Sequence, residues 1–382
     1  MGSGKQSLFI PGPIDVKEEI LQELGREQIS HRSDEFRDLF KSLKPGLKEL
    51  FGSPNDVLIS TSSGSGFWEA ASRCCVCKKI LHAVNGAFSE KWAEVSAACG
   101  KEVKRIVYEP SKGVRAEDVE KALLENPDLE AFAMVHNETS TGAASDLDAI
   151  SRVMKNHPQV IWMVDAVSSL GGMRIDADRR GIDFCLSSSQ KALALPPGLS
   201  LACVSQKAYD KAKTIKGRGY YFDILELKKA YDKDETPYTP SIPHLYALKR
   251  QLERISIEGF DERLGRHKEM AARVKAWAED NDLRLFPEKG RESLTVSCII
   301  SRRGLDLKTL KRAMLERGYF MDAGYRKLNE KLLSEGKEPT FRIAHMGDRT
   351  MDELDAFLEA LDECMRKQEI ILEVKEQEKI KG

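Results

Sequence analysis

Between residues 57 and 204 the sequence alternates short apolar runs with segments of helical periodicity, and this alternation leaves few folds open. The runs are rich in β-branched and aromatic residues, and polar residues follow several of them. Strands that alternate with helices form a mostly parallel sheet covered by helices. We therefore predict an α/β fold with a seven-stranded, mostly parallel sheet. The predicted strands are Val57–Ser60, Ile80–Val84, Val103–Tyr108, Ala131–His136, Ile161–Asp165, Phe184–Ser187 and Leu201–Val204.

The remainder of the chain predicts a second, smaller domain. A helical stripe ends near Ile255, and an apolar set at Leu294–Ile300 is followed by the helix-like segment Leu307–Arg317 and the strand-like segment Thr340–Ala344. A chain of 382 residues is long enough for two domains. We assign residues 1–20 to an N-terminal segment that joins the small domain, 21–255 to the large domain and 256–382 to a small α+β domain. Within them we expect Gly2–Gly4 to be a flexible start and Glu353–Lys381 to form a solvated terminal helix.

Composition excludes several classes of function. The chain has 60 basic and 61 acidic residues, a net charge of −1, so it has no overall basic excess that would attract nucleic acid or anionic lipid. No apolar run approaches the roughly 18 residues of a membrane span. The 8 cysteines are spaced too unevenly for a secreted disulfide framework. We expect a cytoplasmic protein whose partners are small molecules or a second copy of itself.

A Gly/Ser-rich turn, Thr61–Gly66, follows the first central strand and leads into a helical segment that starts at Phe67. Free N–H groups at a helix N-terminus bind phosphate, and glycine lets the ligand approach closely. Such a turn is equally consistent with a loop and a helix cap. It lacks both the nucleotide-hydrolysing P-loop pattern and the dinucleotide-binding glycine pattern.

Two strand ends carry the other candidate groups. Asp165 ends one buried-type strand, and Lys191 comes just after the next one, among small and apolar residues. A buried carboxylate needs a cation or a turn to cap, and a lysine in apolar surroundings is a candidate for a Schiff base. A phosphate cup, an aspartate and a lysine at the ends of strands in one sheet are together what pyridoxal 5′-phosphate requires.

At this point the sequence resembles a known family, the class V aminotransferases of fold type I, which includes the alanine–glyoxylate and serine–pyruvate aminotransferases. The resemblance runs over nearly the whole chain. It implies that residues 21–255 bind pyridoxal phosphate and that residues 1–20 contribute to the active-site entrance. The motifs that carry it are Phe9–Pro13, His136–Gly142, Val164–Gly172, Ser189–Leu193 and Phe341–Ile343.

The resemblance implies roles for residues around the cofactor. Lys191 would form the Schiff base and move the substrate proton, and Asp165 would pair with the pyridinium nitrogen. Phe88 stands where the alanine–glyoxylate group usually has a tryptophan stacked on the ring; an ordinary core aromatic is the alternative. The other cofactor contacts that the resemblance implies are Ser65, Gly66, Phe67 and Gln190 for the phosphate, Thr139 for the ring oxygen, and Val167.

Further residues concern the substrate and a partner subunit. The resemblance makes Arg342 the clamp on the substrate carboxylate, and Tyr238 and Ser241 contacts to the phosphate of the neighbouring subunit in a homodimer. His31 and Arg32 resemble a stretch of the phosphoserine aminotransferases that meets the substrate phosphate. They could equally be a surface pair or a loop anchor.

The sequence therefore predicts an enzyme that moves the amino group of alanine or serine to a 2-oxo acid such as glyoxylate or pyruvate. A phosphoserine or aspartate aminotransferase is the alternative. A cysteine desulfurase of the same fold is disfavoured, because no cysteine lies between Cys298 and Cys364 to form the persulfide. The cysteines at 74, 75 and 77 lie near His82, but no second ligand pair completes a zinc site. We predict no metal.

Overall fold

The computed structural model describes residues 6–302 and 304–381, with side chains described as far as residue 368. The predicted flexible start at Gly2–Gly4 lies outside these residues. The helices are α1 Glu18–Glu23, α2 Asp34–Phe51, α3 Gly64–Cys75, α4 Ala87–Ala98, α5 Ala116–Glu125, α6 Leu147–Asn156, α7 Ala177–Arg180, α8 Gln206–Thr214, α9 Ile224–Tyr231, α10 Ile242–Glu258, α11 Phe260–Asp280, α12 Leu307–Glu316, α13 Arg326–Ser334 and α14 Met351–Lys381. The strands are β1 Ser7–Phe9, β2 Asp56–Ser60, β3 Lys79–Val84, β4 Glu102–Val107, β5 Ala131–Val135, β6 Asn137–Glu138, β7 Ala143–Ala144, β8 Ile161–Asp165, β9 Phe184–Ser188, β10 Ser200–Val204, β11 Arg284–Leu285, β12 Val296–Ile300, β13 Tyr319–Met321 and β14 Thr340–Ala344.

The large sheet contains seven strands in the order β2-β10-β9-β8-β5-β3-β4. Strand β10 runs antiparallel to β2 and β9, and the other neighbouring pairs are parallel. Every residue of β5, β8, β9 and β10 is buried, as expected where helices cover both faces of a sheet. The structure confirms the predicted α/β fold with a mostly parallel seven-stranded sheet.

A second apolar core lies in the C-terminal part of the chain, around Phe341, Phe357 and Met314. Its sheet is antiparallel, in the order β11-β12-β14. Strand β1 pairs in parallel with β13, and Phe9 packs in this second core. Strand β1 of the N-terminal segment therefore belongs to the second core. The domain boundaries at residues 20 and 255 stay a prediction.

Helix α14 corrects the expectation of a solvated terminal helix. One face of its first half is buried in the second core, through Leu354, Phe357, Leu358 and Leu361. These residues recur at the helical spacing of three and four, so they form a continuous apolar stripe. The sequence did not reveal this stripe, because charged residues are frequent throughout the segment. The side chains of this helix beyond residue 368 lie outside the part of the chain that the structure describes.

A buried arginine of helix α11 joins the two cores. Arg263 is 1 % exposed, and its Nε and Nη2 donate to the carbonyl oxygens of Gly171 and Ala192, in loops that follow β8 and β9. Its Nη1 pairs with Glu258 and with Asp348, which follows β14. The guanidinium thus connects loops that follow strands of the large sheet with a loop that follows β14 of the three-stranded sheet. In the described part of the chain, no helix has the length and apolarity needed to span a bilayer.

Candidate active site

A cavity of about 270 Å³ opens where strands β5 and β8 of the large sheet end. Ligands of open α/β folds bind at this edge, because the loops after parallel strands diverge there. Half of its lining residues are ones that the sequence predicted, namely Ser65, Phe88, Thr139, Asp165, Val167, Gln190 and Lys191. The others are Gly12, Ser63, Gly64, Trp68, Val135, Asn137 and Ser168.

Asp165 is the last residue of β8, and its carboxylate is 3 % exposed. One oxygen accepts the Val167 backbone N–H at 2.7 Å, and the other accepts the indole N–H of Trp68 at 2.7 Å. Burial raises the pKa of Asp165 to about 7, against the hydrogen bonds from Val167 and Trp68, which lower it. A cation placed in the cavity would therefore stabilise the ionised carboxylate.

Lys191 lies in the loop between β9 and β10, and its ammonium group donates a hydrogen bond to the carbonyl oxygen of Pro11. The N-terminal segment packs directly on this side chain, since a Cβ atom at Gly12 would lie 2.8 Å from the Lys191 Cδ. Burial and the nearby charge of Arg342 lower the pKa of Lys191 to about 8. Such a lysine is a better nucleophile at neutral pH than a solvated one.

The N-terminus of helix α3 supplies anion-binding N–H groups to the cavity. Ser63 is the N-cap residue but makes no side-chain cap hydrogen bond, and the first turn has no acidic residue. The N–H groups of Gly64 and Ser65 therefore lack the acceptors that usually satisfy a helix start. Gly64 also packs closely, because a Cβ there would lie 2.9 Å from the Val167 side chain.

The predicted phosphate contacts are only partly on the cavity wall. Ser65 and Gln190 line it, and the Gln190 side chain accepts a hydrogen bond from Ser188 at 2.5 Å. Gly66 and Phe67 do not line it. The contact predicted for Phe67 is its backbone; its ring is buried on the core-facing side of α3 and packs edge-on against Phe184 at 6.1 Å.

The opposite part of the wall carries Phe88 and Thr139. Phe88 is the second residue of helix α4, with its ring 6.2 Å from that of Tyr325. The Thr139 hydroxyl lies 2.5 Å from the Ser168 hydroxyl. One of the two hydroxyl groups donates its proton to the other, so the second hydroxyl group can donate its own proton to a ligand.

Arg342, on β14, is buried and does not line the cavity. Its Nε and Nη2 donate to the two carboxylate oxygens of Asp322, both at 2.9 Å, and its Nη1 donates to the Thr139 carbonyl at 2.9 Å. A guanidinium has five N–H groups, so two remain for a carboxylate. Asp322 fixes the plane of the group.

Four further predicted site residues do not line this chain's own cavity, although the Ser241 N–H donates to the Thr61 hydroxyl in the turn before α3. Tyr238 donates its hydroxyl proton to the Tyr220 carbonyl, and the Ser241 hydroxyl lies 2.7 Å from the His244 ring. Arg32 donates to the carbonyl oxygens of Thr236 and Pro237, so it anchors the loop that leads to Tyr238; its neighbour His31 does not line the cavity either.

Comparison with known proteins decides the family. The family model for class V aminotransferases matches residues 17–357. This chain is a class V aminotransferase. It is 33 % identical to a serine–glyoxylate aminotransferase of Methylorubrum extorquens over 362 residues, covering 90 % of this chain and 87 % of the relative.

Solved structures agree with the family. An aspartate aminotransferase from Thermus thermophilus superposes with a TM-score of 0.85 at 30 % identity, covering 94 % of this chain and 99 % of the other. An alanine–glyoxylate aminotransferase from a Nostoc species superposes with a TM-score of 0.88 at 26 % identity, covering 95 % and 96 %. The predicted family and the predicted transaminase activity are confirmed.

Sequence reasoning missed several residues of the aminotransferase cavity. Trp68 was not predicted as a site residue, although it lies four residues after Gly64 and so shares its helix face. Asn137 was quoted only as part of a motif, although its spacing of two from Thr139 places both on one side of an extended segment. The Asn137 amide nitrogen donates to the Ser168 carbonyl and the Thr295 hydroxyl, while its oxygen is buried without a partner.

Class V aminotransferases use pyridoxal phosphate, and the groups around the aminotransferase cavity match that molecule. The helix α3 terminus suits its phosphate, Asp165 its ring nitrogen and Phe88 its ring face. The Asn137 side-chain oxygen, which is buried without a hydrogen-bond partner, can accept a hydrogen bond from a bound molecule. Within the described residues no group of three or more histidine, cysteine, aspartate or glutamate side chains could hold a metal ion.

Proposed function

We propose that this aminotransferase uses pyridoxal phosphate to move the amino group of a small neutral amino acid, alanine or serine, to a 2-oxo acid such as glyoxylate or pyruvate. The observation that carries the proposal is that Lys191, Asp165 and the open N-terminus of α3 border one cavity. An amine, an anion and a set of N–H donors are needed together for this cofactor and for few other ligands.

Pyridoxal phosphate supplies an aldehyde that exchanges amino groups and a protonated ring that withdraws electrons. In our proposal the N–H groups of Gly64 and Ser65 hold its phosphate with Gln190. Asp165 pairs with the ring nitrogen, which keeps the nitrogen protonated, and Trp68 fixes the orientation of that carboxylate. The proposed neighbours of the ring are Phe88, Val167 and the Thr139 hydroxyl.

Lys191 serves as nucleophile and then as base. With a pKa of about 8, roughly a tenth of the lysine is neutral at pH 7, compared with roughly one part in three thousand at the ordinary value. The Lys191 amine would also accept the proton that leaves the substrate α-carbon. The Pro11 carbonyl would give this amine a fixed hydrogen-bond partner.

Arg342 binds the α-carboxylate that donor and acceptor share. Its two remaining N–H groups bind a carboxylate, and Asp322 keeps their direction constant. Because the amino acid and the 2-oxo acid have this group in common, one arginine serves both half-reactions. Orientation by this clamp aligns the α-carbon bond that must break.

A small neutral donor is favoured by what surrounds the cavity. The volume of about 270 Å³ is at the lower end for ligand pockets, so little space is left for a long substrate side chain. His31 and Arg32, the candidate groups for an acidic donor, do not line the cavity of their own chain. The serine–glyoxylate and alanine–glyoxylate relatives act on donors of this size, according to their names.

The proposal includes a homodimer in which Tyr238 and Ser241 reach the phosphate of the partner's cofactor. Tyr238 stacks on Tyr221 at 4.9 Å and lies beside Tyr220, which is 79 % exposed. An exposed group of aromatic rings on a loop is typical of a surface that another chain covers.

Reaction of the purified enzyme with single donors tests the proposal. Alanine, serine, aspartate, glutamate and phosphoserine are each mixed with enzyme loaded with pyridoxal phosphate, and the loss of the cofactor's visible absorbance is followed in one turnover. We expect alanine or serine to react fastest. A faster reaction with aspartate, glutamate or phosphoserine would replace the small-donor proposal by the acidic-donor alternative.

Borohydride reduction tests the lysine itself. Reduction of the loaded enzyme should leave a stable cofactor adduct on Lys191, detected by mass spectrometry of peptides, and Lys191→Ala should show none. Lys268→Ala, which removes an exposed lysine of helix α11, serves as the control and should keep the adduct. An adduct that persists in Lys191→Ala would contradict the assignment.

A further inference from the structure

Glu138 is a buried carboxylate to which neither the proposed chemistry nor the core gives an obvious use. It is 0 % exposed and directly precedes Thr139 in the cavity wall. Burying an ionised carboxylate is costly unless hydrogen bonds or opposite charges replace the lost water. Its hydrogen-bond partners are all neutral groups, so its position needs a physical explanation.

These partners form the first turn of helix α4. The Glu138 carboxylate accepts the backbone N–H groups of Phe88 at 3.1 Å and Ser89 at 3.0 Å, as well as the Ser89 hydroxyl. Its other oxygen accepts the N–H and hydroxyl of Ser140, at 3.1 and 2.6 Å. The N-cap residue of α4 is Gly86, which has no side chain and could have none, because a Cβ would collide with Glu138. A distant carboxylate therefore caps this helix.

The cavity is thus bordered by two helix N-termini of opposite character. At α3 the cap side chain is unused and the first turn has no acidic residue. At α4 the N–H groups of Phe88 and Ser89 are taken by Glu138, and that of Ala87 is taken by the Ser140 hydroxyl. Both helix dipoles attract anions, but only α3 has donors left to bind one.

We propose that Glu138 is a positioning residue that closes the N-terminus of α4 to anions, so that the cofactor phosphate binds only at α3 and the ring lies beside Phe88. The inference rests on the proposed function. It assigns Glu138 to the orientation of the cofactor and gives it no contact with the reacting atoms. The same hydrogen bonds fix the backbone of Phe88, the predicted stacking residue.

Glu138→Gln tests the role of the charge with little change of shape. The amide oxygen can still accept from the α4 N–H groups and the amide nitrogen can donate to the Ser140 hydroxyl oxygen, so only the Ser140 N–H loses its acceptor and the fold is expected to persist. A neutral amide binds the α4 N–H groups less strongly than a carboxylate and does not repel an anion. In the cofactor-free protein, equilibrium dialysis with labelled inorganic phosphate should therefore reveal a further phosphate site that the wild type lacks. In the loaded enzyme, the visible circular dichroism per bound cofactor should fall by about twofold, because ring stacking depends on geometry.

Ser140→Ala is the second variant, because it frees the Ala87 N–H and removes one donor to the carboxylate while the charge of Glu138 stays in place. It should give a smaller change in the same direction. Asp146→Asn is the matched control, since Asp146 caps helix α6 through Asp148 and Ala149 and does not line the cavity. It should match the wild type in both measurements.

The outcomes separate this inference from the proposed function. If Glu138→Gln behaves like Asp146→Asn in phosphate binding and in circular dichroism, Glu138 only caps a helix and the inference is wrong. If the wild-type protein itself binds no pyridoxal phosphate, the proposed function fails, and the inference falls with it. A further phosphate site together with weaker circular dichroism supports it.

Discussion

Two effects act on the pKa of Asp165 in opposite directions. Its hydrogen bonds with Val167 and Trp68 favour the carboxylate, whereas burial favours the neutral acid and wins, so its pKa rises to about 7. Without a cation beside it, the folded chain holds a proton that the unfolded chain releases. The group is therefore suited to a cation bound in the cavity rather than to the empty cavity.

This difference predicts how the stability of the cofactor-free protein depends on pH. Because the folded pKa lies above the unfolded value, Asp165 contributes a loss of stability as pH rises from about 4 to about 7, by as much as a few kcal/mol. Asp165→Asn has no proton to lose, so its melting temperature should fall less over this window. Thermal scans of both proteins across the window check the difference in slope; equal slopes would contradict a raised pKa.

Single residues with strong chemical demands were predictable from the sequence. Lys191 and Asp165 stand at strand ends, where polar groups reach a common edge, and the structure brings both to one cavity. Trp68 and Asn137 were not predicted, because their roles come from neighbours distant in the sequence: Trp68 contacts Asp165 across 97 positions. Arg342 was predicted as a free clamp, but its pairing with Asp322 depends on how β13 and β14 lie together.

Among the elements, the short N-terminal strand β1 has an effect larger than its three residues suggest. It pairs with β13 of the second core, and the turn after it brings Pro11 and Gly12 against Lys191. Gly12 has a φ of +111°, a conformation that residues with side chains rarely adopt. The Lys191 side chain is therefore held by a segment whose strand pairs with the second core.

Gly12→Ala should impair the enzyme through Lys191. The added methyl group would lie 2.8 Å from the Lys191 Cδ, and the backbone at this φ disfavours alanine. We expect the rate of the first half-reaction to fall by on the order of tenfold or more, since misplacement by about 1 Å can cost that much. Single-turnover absorbance measures it. Gly100→Ala, which has a positive φ but no atom within 4 Å of the added group, is the control and should react at the wild-type rate.

Element positions were predictable where periodicity is strong and less so where packing decides. The seven strands of the large sheet appear within a few residues of their predicted bounds; six are largely buried apolar runs, and the edge strand β4 is half-buried to exposed. The sequence could not show that the polar helix α14 buries a stripe in the second core. It also could not show that the cap of α4 comes from Glu138, since Gly86 offers no signal for it.

In the whole molecule, the separation of Tyr238 and Ser241 from the cavity of their own chain predicts complementation between inactive variants. Lys191→Ala lacks the nucleophile, and Ser241→Ala combined with Tyr238→Phe lacks the proposed contacts to the partner's phosphate. If sites are shared, mixed dimers contain one complete site. Denaturing and refolding the two variants together should recover about a quarter of the wild-type activity, from random pairing of equal chains. Refolding each variant alone is the control, and a mixture no more active than the sum of the two would contradict shared sites.

Arg263 has a consequence for how the enzyme comes apart. Unfolding of the second core would separate Arg263 and Asp348 from the loops that contain Gly171 and Ala192. Ala192 directly follows Lys191. Thermal unfolding of the C-terminal part of the chain should therefore also release the proposed cofactor. We expect the visible absorbance of the loaded protein to be lost in the same transition as its secondary structure. In a fragment that ends before helix α11, the carbonyl oxygens of Gly171 and Ala192 would lack their hydrogen-bond donor. We expect such a fragment to bind the proposed cofactor weakly even if its own sheet folds.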